Sequence, residues 1–418
     1  MKPFLFFLTG LCTAFLLTAR AADTDDIVIR GLIRDRDSRR VLENVNVSAE
    51  RGSVGTVSNA DGVFVLKIPA GFASGGVRLS HVGYLDTLLS ADELAGYADA
   101  DGKGAKVIYM VPSGIELDAA ILLGGDPRQI VGEALDRIPS NYAANETLYS
   151  AFYRETVRKG SRYVSVSEAV ADVFKTDYSR RDITWDKVRI LKGRRLISQM
   201  RRDTLAVKIS GGPTLPLVLD VVKNGDALFE KADLDDYVFE MEVPVNTGGR
   251  LHYVISFRPA TVRPYPLLEG VLYIDRENLA LTRAEFSMDL SNRAKATDAI
   301  LRRRPAGLKF RPLEVSYIAT YRQQNGRTYL NYVRNSIRFR CTWAKRLFAS
   351  SYISCAEMVM VDRREGGDLD FARREAFGDR QIFYDMVDDY WDADYWKDYN
   401  IIEPTESLEH AVNRLKKD

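Results

Sequence analysis

The feature that most constrains the fold is the stretch from residue 55 to residue 69, which has the pattern of a strand, a tight turn, a second strand and a proline stop. The turn contains the pair Asp61-Gly62. Glycine accepts a positive φ and aspartate can bond the neighbouring backbone, so the chain reverses direction there without strain. Pro69 then ends the second strand, because it has no N–H for a sheet ladder. The stretch therefore predicts a β-hairpin.

Short segments with strand character fill residues 27 to 112, and residues that favour turns separate them. About seven such segments fall within ~85 residues, which is a spacing typical of a small β-sandwich. We expect a seven-stranded β-sandwich over residues 22–114, followed by a linker over residues 115–126.

The first 21 residues have the composition of a secretory signal peptide. Lys2 supplies the positive end, residues 4–17 form the apolar run, and Ala19-Arg20-Ala21 is a small-x-small cleavage site. No later segment approaches the ~20 apolar residues that a membrane-spanning helix needs. We therefore predict an exported protein of the periplasm or the outer-membrane periphery, with no transmembrane span once the signal peptide is removed.

The charge balance excludes one broad class of partner. The chain has 59 Lys and Arg residues against 58 Asp and Glu residues. It therefore has no bulk field that would attract a polyanion. We expect no nucleic-acid partner.

Residues 127–380 predict a second, larger domain that combines helices with a sheet. Asp126 is suited to cap a helix and Pro127 to occupy its first position, and residues 215–229 have a second helical pattern. The later segments pair across turns such as Asn325-Gly326, and long consecutive hairpins build a curved antiparallel sheet. The predicted fold class is mainly β with a few helices, in which the seven-stranded sandwich precedes an α+β domain built on a curved antiparallel sheet.

Four motifs in the N-terminal region resemble the carboxypeptidase regulatory-like domain. They occupy residues 31–35, 41–47, 55–64 and 80–84, and their turn residues are Asp61, Gly62, Gly83 and Tyr84. The resemblance implies a transthyretin-like sandwich. Such domains commonly precede other modules in Gram-negative envelope proteins, including TonB-dependent nutrient transporters.

The residues exclude the zinc chemistry that this family name suggests. A zinc carboxypeptidase needs a His-x-x-Glu pair and a distant third His, because three protein ligands hold the metal while water takes the fourth position. The chain has three histidines, His81, His252 and His410, and none of them begins this motif. We therefore expect that the protein is not a metallocarboxypeptidase, and we expect neither a catalytic set nor a metal or other cofactor.

Part of the second domain resembles a different group of proteins. Residues 269–275 and 280–286 are similar to the half-barrel hairpins of periplasmic lipoprotein carriers. Residues 127–411 as a whole resemble exported proteins of unassigned activity that pair this region with the sandwich. The resemblance to the carriers implies a curved sheet that presents a surface to a ligand.

Two cysteines remain after the signal peptide, in an exported chain where disulfides can persist. Cys341 and Cys355 lie on alternating segments that flank a turn, and a hairpin folded there would place them opposite each other. Two alternatives stay open at this point: a disulfide, or two buried free thiols that behave as small apolar residues.

The C-terminal segment, residues 381–418, interleaves acidic and aromatic residues before a terminal helix. Tyr390, Trp391, Tyr395 and Trp396 are candidates for a ligand surface, since aromatic rings stack on sugars. The alternative is that they seal the open end of the sheet while the acidic residues stay in water.

These patterns indicate a non-catalytic binding or assembly protein of the cell envelope. The sandwich would serve as an adaptor, and the sheet would present a concave or edge surface to an envelope protein, a lipid or a glycan. One alternative is an envelope hydrolase that uses carboxylates such as Asp275, Glu285 or Asp389, two of which would have to lie about 5 to 9.5 Å apart. Another is an accessory partner of an outer-membrane TonB-dependent transporter.

Overall fold

A computed structural model describes residues 26–94, 97, 106–113, 124–197, 208–209, 212–228, 230–303, 306–344, 349–378, 381–392 and 400–415. The fold class is confirmed: the chain is mainly β and contains a large curved antiparallel sheet. The predicted signal peptide, residues 1–21, lies outside the described residues. No helix in the described part of the chain combines the length and the apolar character needed to cross a membrane.

The N-terminal strands form two sheets that pack face to face. The strands are β1 (Ile27–Asp35), β2 (Asn46–Ala49), β3 (Gly55–Val57), β4 (Val63–Ile68), β5 (Val77–Ser80), β6 (Thr87–Leu89) and β7 (Lys106–Met110). One sheet has the order β4-β1-β7 and the other β3-β2-β5-β6. Two one-turn helices, α1 (Ala70–Ala73) and α2 (Ala91–Leu94), lie in the connections. Ile29, Phe64 and Leu79 meet in a core closed to solvent.

The turn at Asp61-Gly62 has the predicted backbone, but its position in the topology differs from the prediction. Gly62 has a φ of 77°, and a Cβ there would lie 2.7 Å from the Ile33 carbonyl oxygen, so only glycine fits. The Asn59 side-chain oxygen accepts from the amides of Asp61 and Val63, at 3.0 and 2.9 Å. The predicted hairpin is instead an arch between the two sheets, because β3 pairs with β2 whereas β4 pairs with β1.

The second turn motif, Gly83-Tyr84, lies against the end of β1. Gly83 has a φ of 80°, and the Tyr84 hydroxyl donates to Asp35 Oδ2 at 2.7 Å. The backbone amide of Ser38, followed by the Tyr84 hydroxyl, lowers the pKa of Asp35 to about 2. The motif therefore ties the loop after β5 to the far end of β1.

Eleven strands form the curved sheet. In chain order, strands β8 to β20 are β8 (Thr147–Lys159), β9 (Arg162–Lys175), β10 (Lys187–Ile197), β11 (Lys208–Ile209), β12 (Tyr237–Met241), β13 (Val245–Thr247), β14 (Arg250–Pro259), β15 (Leu268–Asp275), β16 (Leu281–Met288), β17 (Leu301–Arg303), β18 (Leu308–Gln324), β19 (Arg327–Trp343) and β20 (Ser350–Glu365). The sheet order is β10-β9-β8-β20-β19-β18-β16-β15-β14-β12, with β13 paired to β14. The two remaining strands, β11 and β17, pair with each other. The hairpin predicted across Asn325-Gly326, which joins β18 and β19, is present, and β8–β9, β15–β16 and β12–β14 are further antiparallel pairs.

Five helices cover the concave face of this sheet, and a sixth, near the C-terminal end of the described residues, packs on its outer face. The helix α3 (Pro127–Asp136) begins as predicted, with the Asp126 side chain accepting from the Arg128 amide at 3.0 Å. The other helices are α4 (Ile138–Asn141), α5 (Leu215–Val218), α6 (Arg293–Ile300), α7 (Phe383–Met386) and α8 (Glu406–Leu415).

The predicted helix over residues 215–229 is shorter than expected. It is reduced to α5 and a short 3-10 turn at Gly225–Ala227. Asn224 donates its side-chain amide to the Val218 carbonyl at 2.8 Å, a side-chain bond that competes with helical backbone bonding.

The two faces of the sheet differ in chemistry because successive side chains on a strand point to opposite sides. The concave face carries apolar side chains such as Tyr153 and Val173. The outer face carries a buried ion pair between Arg154 and Glu168, at 2.6 Å. Phe152, also on the outer face, packs against the sandwich residue Val57.

A C-terminal segment, residues 400–404, lies between the outer face and the sandwich, and we call it the strap. The Asn400 side chain accepts from the Lys67 amide at 2.7 Å and donates to the Lys67 carbonyl at 3.0 Å. The Arg154 guanidinium donates to the Ile402 carbonyl at 2.6 Å. The Asn59 side chain donates to the carbonyl of Glu403 at 3.1 Å. The strap thus bonds to both the sandwich and the sheet.

Helix α8 continues from the strap and begins at the sandwich turn. The Glu406 amide donates to Asp61 Oδ2 at 2.7 Å, so Asp61 supplies an acceptor at the N-terminus of α8. Leu408 of α8 packs against Val166 of β9. The Asp61-Gly62 turn therefore holds the C-terminal helix as well as joining the two sandwich sheets.

The hairpin β19–β20 forms, but its register differs from the expectation for the cysteines. Cys341 lies opposite Ser350, and Cys355 lies opposite Ser336. Ser350 and Cys355 are five residues apart on one strand, so the two thiols point to opposite faces of the sheet. Both thiols are free, and burial raises the pKa of each to about 12. The expected facing pair is not formed, because the register of β19 with β20 pairs each cysteine with a serine five residues away from the other cysteine.

The strap yields a stability prediction. Asn400→Ala removes two hydrogen bonds to the sandwich backbone. We expect the free energy of unfolding to fall by about 1–3 kcal/mol, since each bond contributes roughly 0.5–1.5 kcal/mol net. Urea denaturation measures the loss. The control is Asn145→Ala, at an exposed asparagine, which should change stability by less than about 0.5 kcal/mol. Equal stability of the Asn400 variant and the parent would contradict this role of the strap.

Candidate functional site

A cavity of about 910 Å³ lies between the concave face of the sheet and the helices α5 and α6. We call it the concave cavity. Its volume falls in the range of roughly 300–1,000 Å³ that is usual for small-molecule sites. Strands β16, β18 and β19 and the first residues of β10 and β15 contribute to it from the sheet, and residues 183–186, 265–266 and 373–378 contribute from the connections. Its apolar side chains include Val188, Leu217, Leu268, Phe286, Ile337 and Phe377.

Two stacked aromatic rings form part of the sheet wall of the cavity. Phe286 of β16 lies opposite Tyr317 of β18, with ring centroids 5.0 Å apart and an interplanar angle of 26°. Burial raises the pKa of Tyr317 to about 12, so its hydroxyl stays neutral at physiological pH. This part of the wall is therefore large, apolar and uncharged, whereas the lining elsewhere includes Asp186, Lys187, Asp226 and Arg373.

A single buried amide interrupts the apolar lining on strands β16, β18 and β19. Asn335 of β19 is 5% exposed and lies between Tyr317 of β18 and Ala356 of β20. Its Oδ1 atom is buried and has no hydrogen-bond partner among the described residues. A buried acceptor without a partner costs about 1–3 kcal/mol, so a native structure has reason to keep one only where something else satisfies it. Asn335 is the polar group on the sheet wall that is best placed to orient a ligand.

A buried ion triad holds one side of the cavity, and it consists of Lys175, Asp186 and Asp220. Lys175 Nζ lies 3.0 Å from Asp186 Oδ2 and 2.9 Å from Asp220 Oδ2, and all three side chains are fully buried. Asp186 itself lines the cavity, and Asp220 closely follows α5. The triad therefore fixes the segment that contains α5 to the end of β9.

Hydroxyl groups complete the environment of Asp220. Tyr178 and Tyr321 donate to it at 2.6 and 2.9 Å. Burial opposes ionisation of both Asp220 and Lys175, but their mutual attraction outweighs it, so the pKa of Asp220 is lowered and that of Lys175 is raised. Both groups are therefore charged at neutral pH.

The lining of the cavity includes large apolar side chains that reach solvent. Val218 of α5 is 43% exposed and Tyr265 is 56% exposed, and both line the cavity. The cavity is thus a cleft with an apolar rim rather than a sealed void.

The predicted ligand surface in the C-terminal segment lies elsewhere. Tyr390 is partly buried and packs against the main core, while Trp391 is 61% exposed. The neighbouring Asp392 forms an ion pair with Lys192 of β10. Tyr395 and Trp396 lie outside the described residues. Neither Tyr390 nor Trp391 lines the concave cavity.

The three carboxylates named for a hydrolase occupy separate positions. Asp275, at the end of β15, accepts from Arg250 at 2.9 Å and from the Glu277 amide at 2.8 Å. Glu285 lies in the middle of β16 opposite Val271, four residues from Asp275 along β15. Asp389 lies in a 3-10 turn at Val387–Tyr390, beside β10.

The described residues contain no group of three or more His, Cys, Asp and Glu side chains placed to hold a metal ion. Burial, followed by the charge of Arg283, lowers the pKa of His81 to about 4. Burial also lowers the pKa of His252, whereas His410 is exposed on α8.

Sequence reasoning missed Asn335 and the ion triad. The available signal for Asn335 was its spacing, since Val333 and Ile337 lie two residues away on either side and share its face. Lys175 likewise follows Val173 at the end of a strongly apolar strand. In both cases the period placed a polar residue on a buried face, but the partner or cavity that it meets comes from a distant part of the chain.

The ion triad yields a prediction of stability. Lys175→Met leaves two carboxylates buried without their cation, so we expect the free energy of unfolding to fall by about 3–5 kcal/mol. Urea denaturation measures the loss. The matched control is Lys231→Met, at an exposed lysine that pairs with Asp136, for which we expect a change below about 1 kcal/mol. Similar losses in both variants would contradict the structural role of the triad.

The partly buried carboxyl of Glu155, which shares the concave face with Tyr153, yields a prediction of pH dependence. Burial raises the pKa of Glu155 from 4.5 to about 7, while Tyr153, which donates to it at 3.1 Å, and Arg195 oppose the shift. The folded state therefore binds the proton more tightly than the unfolded state. The resulting stabilisation is complete below about pH 4.5 and is lost as the pH rises through about 7, by at most about 3 kcal/mol.

Glu155→Gln should remove this part of the pH dependence. Urea denaturation at about pH 5 and about pH 8 measures it, because the two values bracket most of the window between the pKa values of the two states. The control Glu146→Gln, at an exposed glutamate, should keep the slope of the parent. A variant whose slope equals that of the parent would exclude Glu155 as the titrating group.

Comparisons with known proteins found weak similarity to solved structures, of which three are described. No protein-family model matches the chain, and no curated protein matches it. A DUF1329 family protein from Desulfovibrio piger is 10% identical, with 59% of this chain and 96% of that chain covered and a TM-score of 0.27. A putative outer membrane lipoprotein-sorting protein domain from Vibrio parahaemolyticus is 12% identical, with coverages of 58% and 94% and a TM-score of 0.24.

A third solved structure, MucB in complex with MucA(peri), is 12% identical, covers 58% of this chain and 100% of its own, and has a TM-score of 0.17. Scores of this size do not establish a shared fold. The function is therefore argued from the geometry of the chain itself.

Proposed function

We propose that the chain is a non-catalytic binding protein of the cell envelope that holds an apolar, lipid-like ligand in the concave cavity. The observation that carries the proposal is the cavity of about 910 Å³, whose lining on strands β16, β18 and β19 is apolar except for the buried acceptor of Asn335. Small-molecule sites typically combine mostly apolar walls with a few placed polar groups. An envelope location rests on the signal peptide predicted from the sequence.

The walls favour a ligand with a long apolar part. Phe286 and Tyr317 supply an extended aromatic surface, and Leu217 faces the cavity from α5. Each methylene group transferred from water to such a surface contributes about 0.8 kcal/mol. The Asn335 oxygen accepts a hydrogen bond, so it suits a ligand that has one hydroxyl, amide or protonated carboxyl group beside its apolar part.

The exposed rim is consistent with entry from the surface. Val218 and Tyr265 line the cavity and also reach solvent, so the ligand can pass between them without unfolding of the core. The ion triad keeps the segment with α5 in place while the cavity is empty or filled. A ligand that binds the folded state alone stabilises it by mass action.

The hydrolase alternative has less support from the geometry. Asp275 is held by Arg250, and Glu285 forms an ion pair with Arg283 at 2.5 Å. Neither carboxylate lines the concave cavity. We therefore propose binding without catalysis in this cavity.

Binding of cis-parinaric acid, a fluorescent fatty acid, tests the proposal. We expect its fluorescence to rise on binding to the mature chain. We expect Ala299→Trp to weaken binding by about tenfold or more, because Ala299 lines the cavity at an exposed position of α6 where an indole obstructs access. Ala144→Trp, at an exposed alanine outside the cavity lining, is the control and should bind like the parent. Absence of binding to the parent, or equal binding by both variants, would contradict the proposal.

A further inference from the structure

A second cleft, of about 420 Å³, lies between the sandwich and the outer face of the curved sheet. We call it the interdomain cleft. One wall is the outward side of the four-stranded sandwich sheet, which presents Asn46, Ser48 and Arg78. The other wall includes Arg283 of β16 and residues 320–324 of β18. Hydrogen-bonding side chains dominate its lining, in contrast to the concave cavity on the opposite face of the sheet.

Four buried oxygen atoms in this cleft have no hydrogen-bond partner among the described residues: Asn46 Oδ1, Asp86 Oδ1, Thr247 Oγ1 and Gln324 Oε1. Bonds made by the amide nitrogens fix the orientation of two of these side chains. Asn46 Nδ2 donates to Ser80 Oγ at 3.3 Å, and Gln324 Nε2 donates to the Gly52 carbonyl. The side-chain oxygens of Asn46 and Gln324 therefore point away from Ser80 and Gly52, to which the amide nitrogens donate. Each oxygen is an acceptor without a donor.

The positions of these atoms indicate a binding site rather than unrelated unsatisfied groups. Asn46 and Asp86 belong to the sandwich, whereas Thr247 and Gln324 belong to the curved-sheet region. Each unsatisfied buried polar atom costs about 1–3 kcal/mol, and native structures keep few of them. Four in one cleft, contributed by both walls, indicate a binding site that a ligand with several donors completes.

The charges of the cleft nearly cancel. Arg78 pairs with Asp86 at 2.8 Å, and Arg250 pairs with Asp275 at 2.9 Å. Arg322 differs, because within the described part of the chain it forms no ion pair and donates instead to the Ser53 carbonyl at 2.8 Å. The cleft therefore offers one guanidinium and several neutral acceptors rather than a strong field of either sign.

We propose that the interdomain cleft binds a sugar unit of a glycan. A sugar carries several hydroxyl groups on one small ring, and each hydroxyl both donates and accepts. The hydroxyls donate to the Asn46 and Gln324 oxygens and accept from Arg322. Inorganic phosphate offers mainly acceptors, so it satisfies Arg322 but leaves the amide oxygens without donors. This inference is independent of the proposed lipid-like ligand, because the two sites lie on opposite faces of the sheet.

Screening of the mature chain on an array of neutral and acidic mono- and oligosaccharides tests the inference. We expect binding to a subset of the array, and the best binder then serves as the probe for calorimetric titration. Absence of binding across the array overturns the inference. Calorimetric binding of inorganic phosphate to the parent, in place of any sugar, overturns it as well.

Two variants locate the site. Gln324→Leu and Asn46→Leu each remove one acceptor, and we expect each to weaken sugar binding by about tenfold or more. Gln129→Leu, at an exposed glutamine on α3, is the matched control and should bind like the parent. Melting temperatures show whether each variant is folded, and a folded pair of cleft variants that binds sugar as the parent does overturns the assignment. Binding of cis-parinaric acid should be unchanged in all three variants, so failure at one site is distinguishable from failure at the other.

Discussion

The concave cavity depends on a lysine ammonium that is buried between two carboxylates. Removing three charged groups from water costs several kcal/mol for each ion, and only close contacts and further hydrogen bonds repay that cost. Lys175 meets this condition, because Asp186 and Asp220 lie within 3.0 Å and two tyrosine hydroxyls complete Asp220. The interaction joins the end of β9 to the segment after α5. It therefore prevents this segment from collapsing onto the sheet or swinging away from it, and the space between them is the cavity.

On the outer face, a second buried ion pair fixes the position of the sandwich. Arg154 is buried there against Glu168 and donates to the Ile402 carbonyl of the strap. The strap in turn bonds to the sandwich through Asn400 and Asn59. The few residues of the strap therefore link Arg154 of the sheet to the sandwich turn that contains Asn59. The interdomain cleft is the gap that this arrangement leaves beside the contact. Both sites thus exist because buried polar interactions hold covering elements at a distance from the sheet.

The sequence was sufficient for the local elements, because alternation and turn chemistry act over a few residues. It predicted the Asn325-Gly326 turn, the cap at Asp126 and the pairing of the long strands. It failed where the outcome depends on partners far along the chain. The strands on either side of Asp61-Gly62 enter different sheets. The register of β19 with β20 places Cys341 and Cys355 opposite serines rather than opposite each other. Asn335 borders a cavity that α5 helps to cover, and α5 lies more than a hundred residues earlier in the chain. Periodicity identifies the face of a side chain, but it does not identify what covers that face.

Strand β18 contributes to both sites through alternate residues, and one irregularity in its pairing supports this division. Tyr321 points to the concave face and donates to Asp220, whereas Arg322 points to the outer face and reaches Ser53. A β-bulge separates the pair Thr320 with Tyr332 from the pair Tyr321 with Leu330, which leaves Asn331 as the extra residue of β19. Asn331 lines the interdomain cleft. A shift of one residue in β18 would exchange its two faces, burying the guanidinium in the apolar core and removing a donor from the ion triad. The register of this single strand therefore constrains both sites at once.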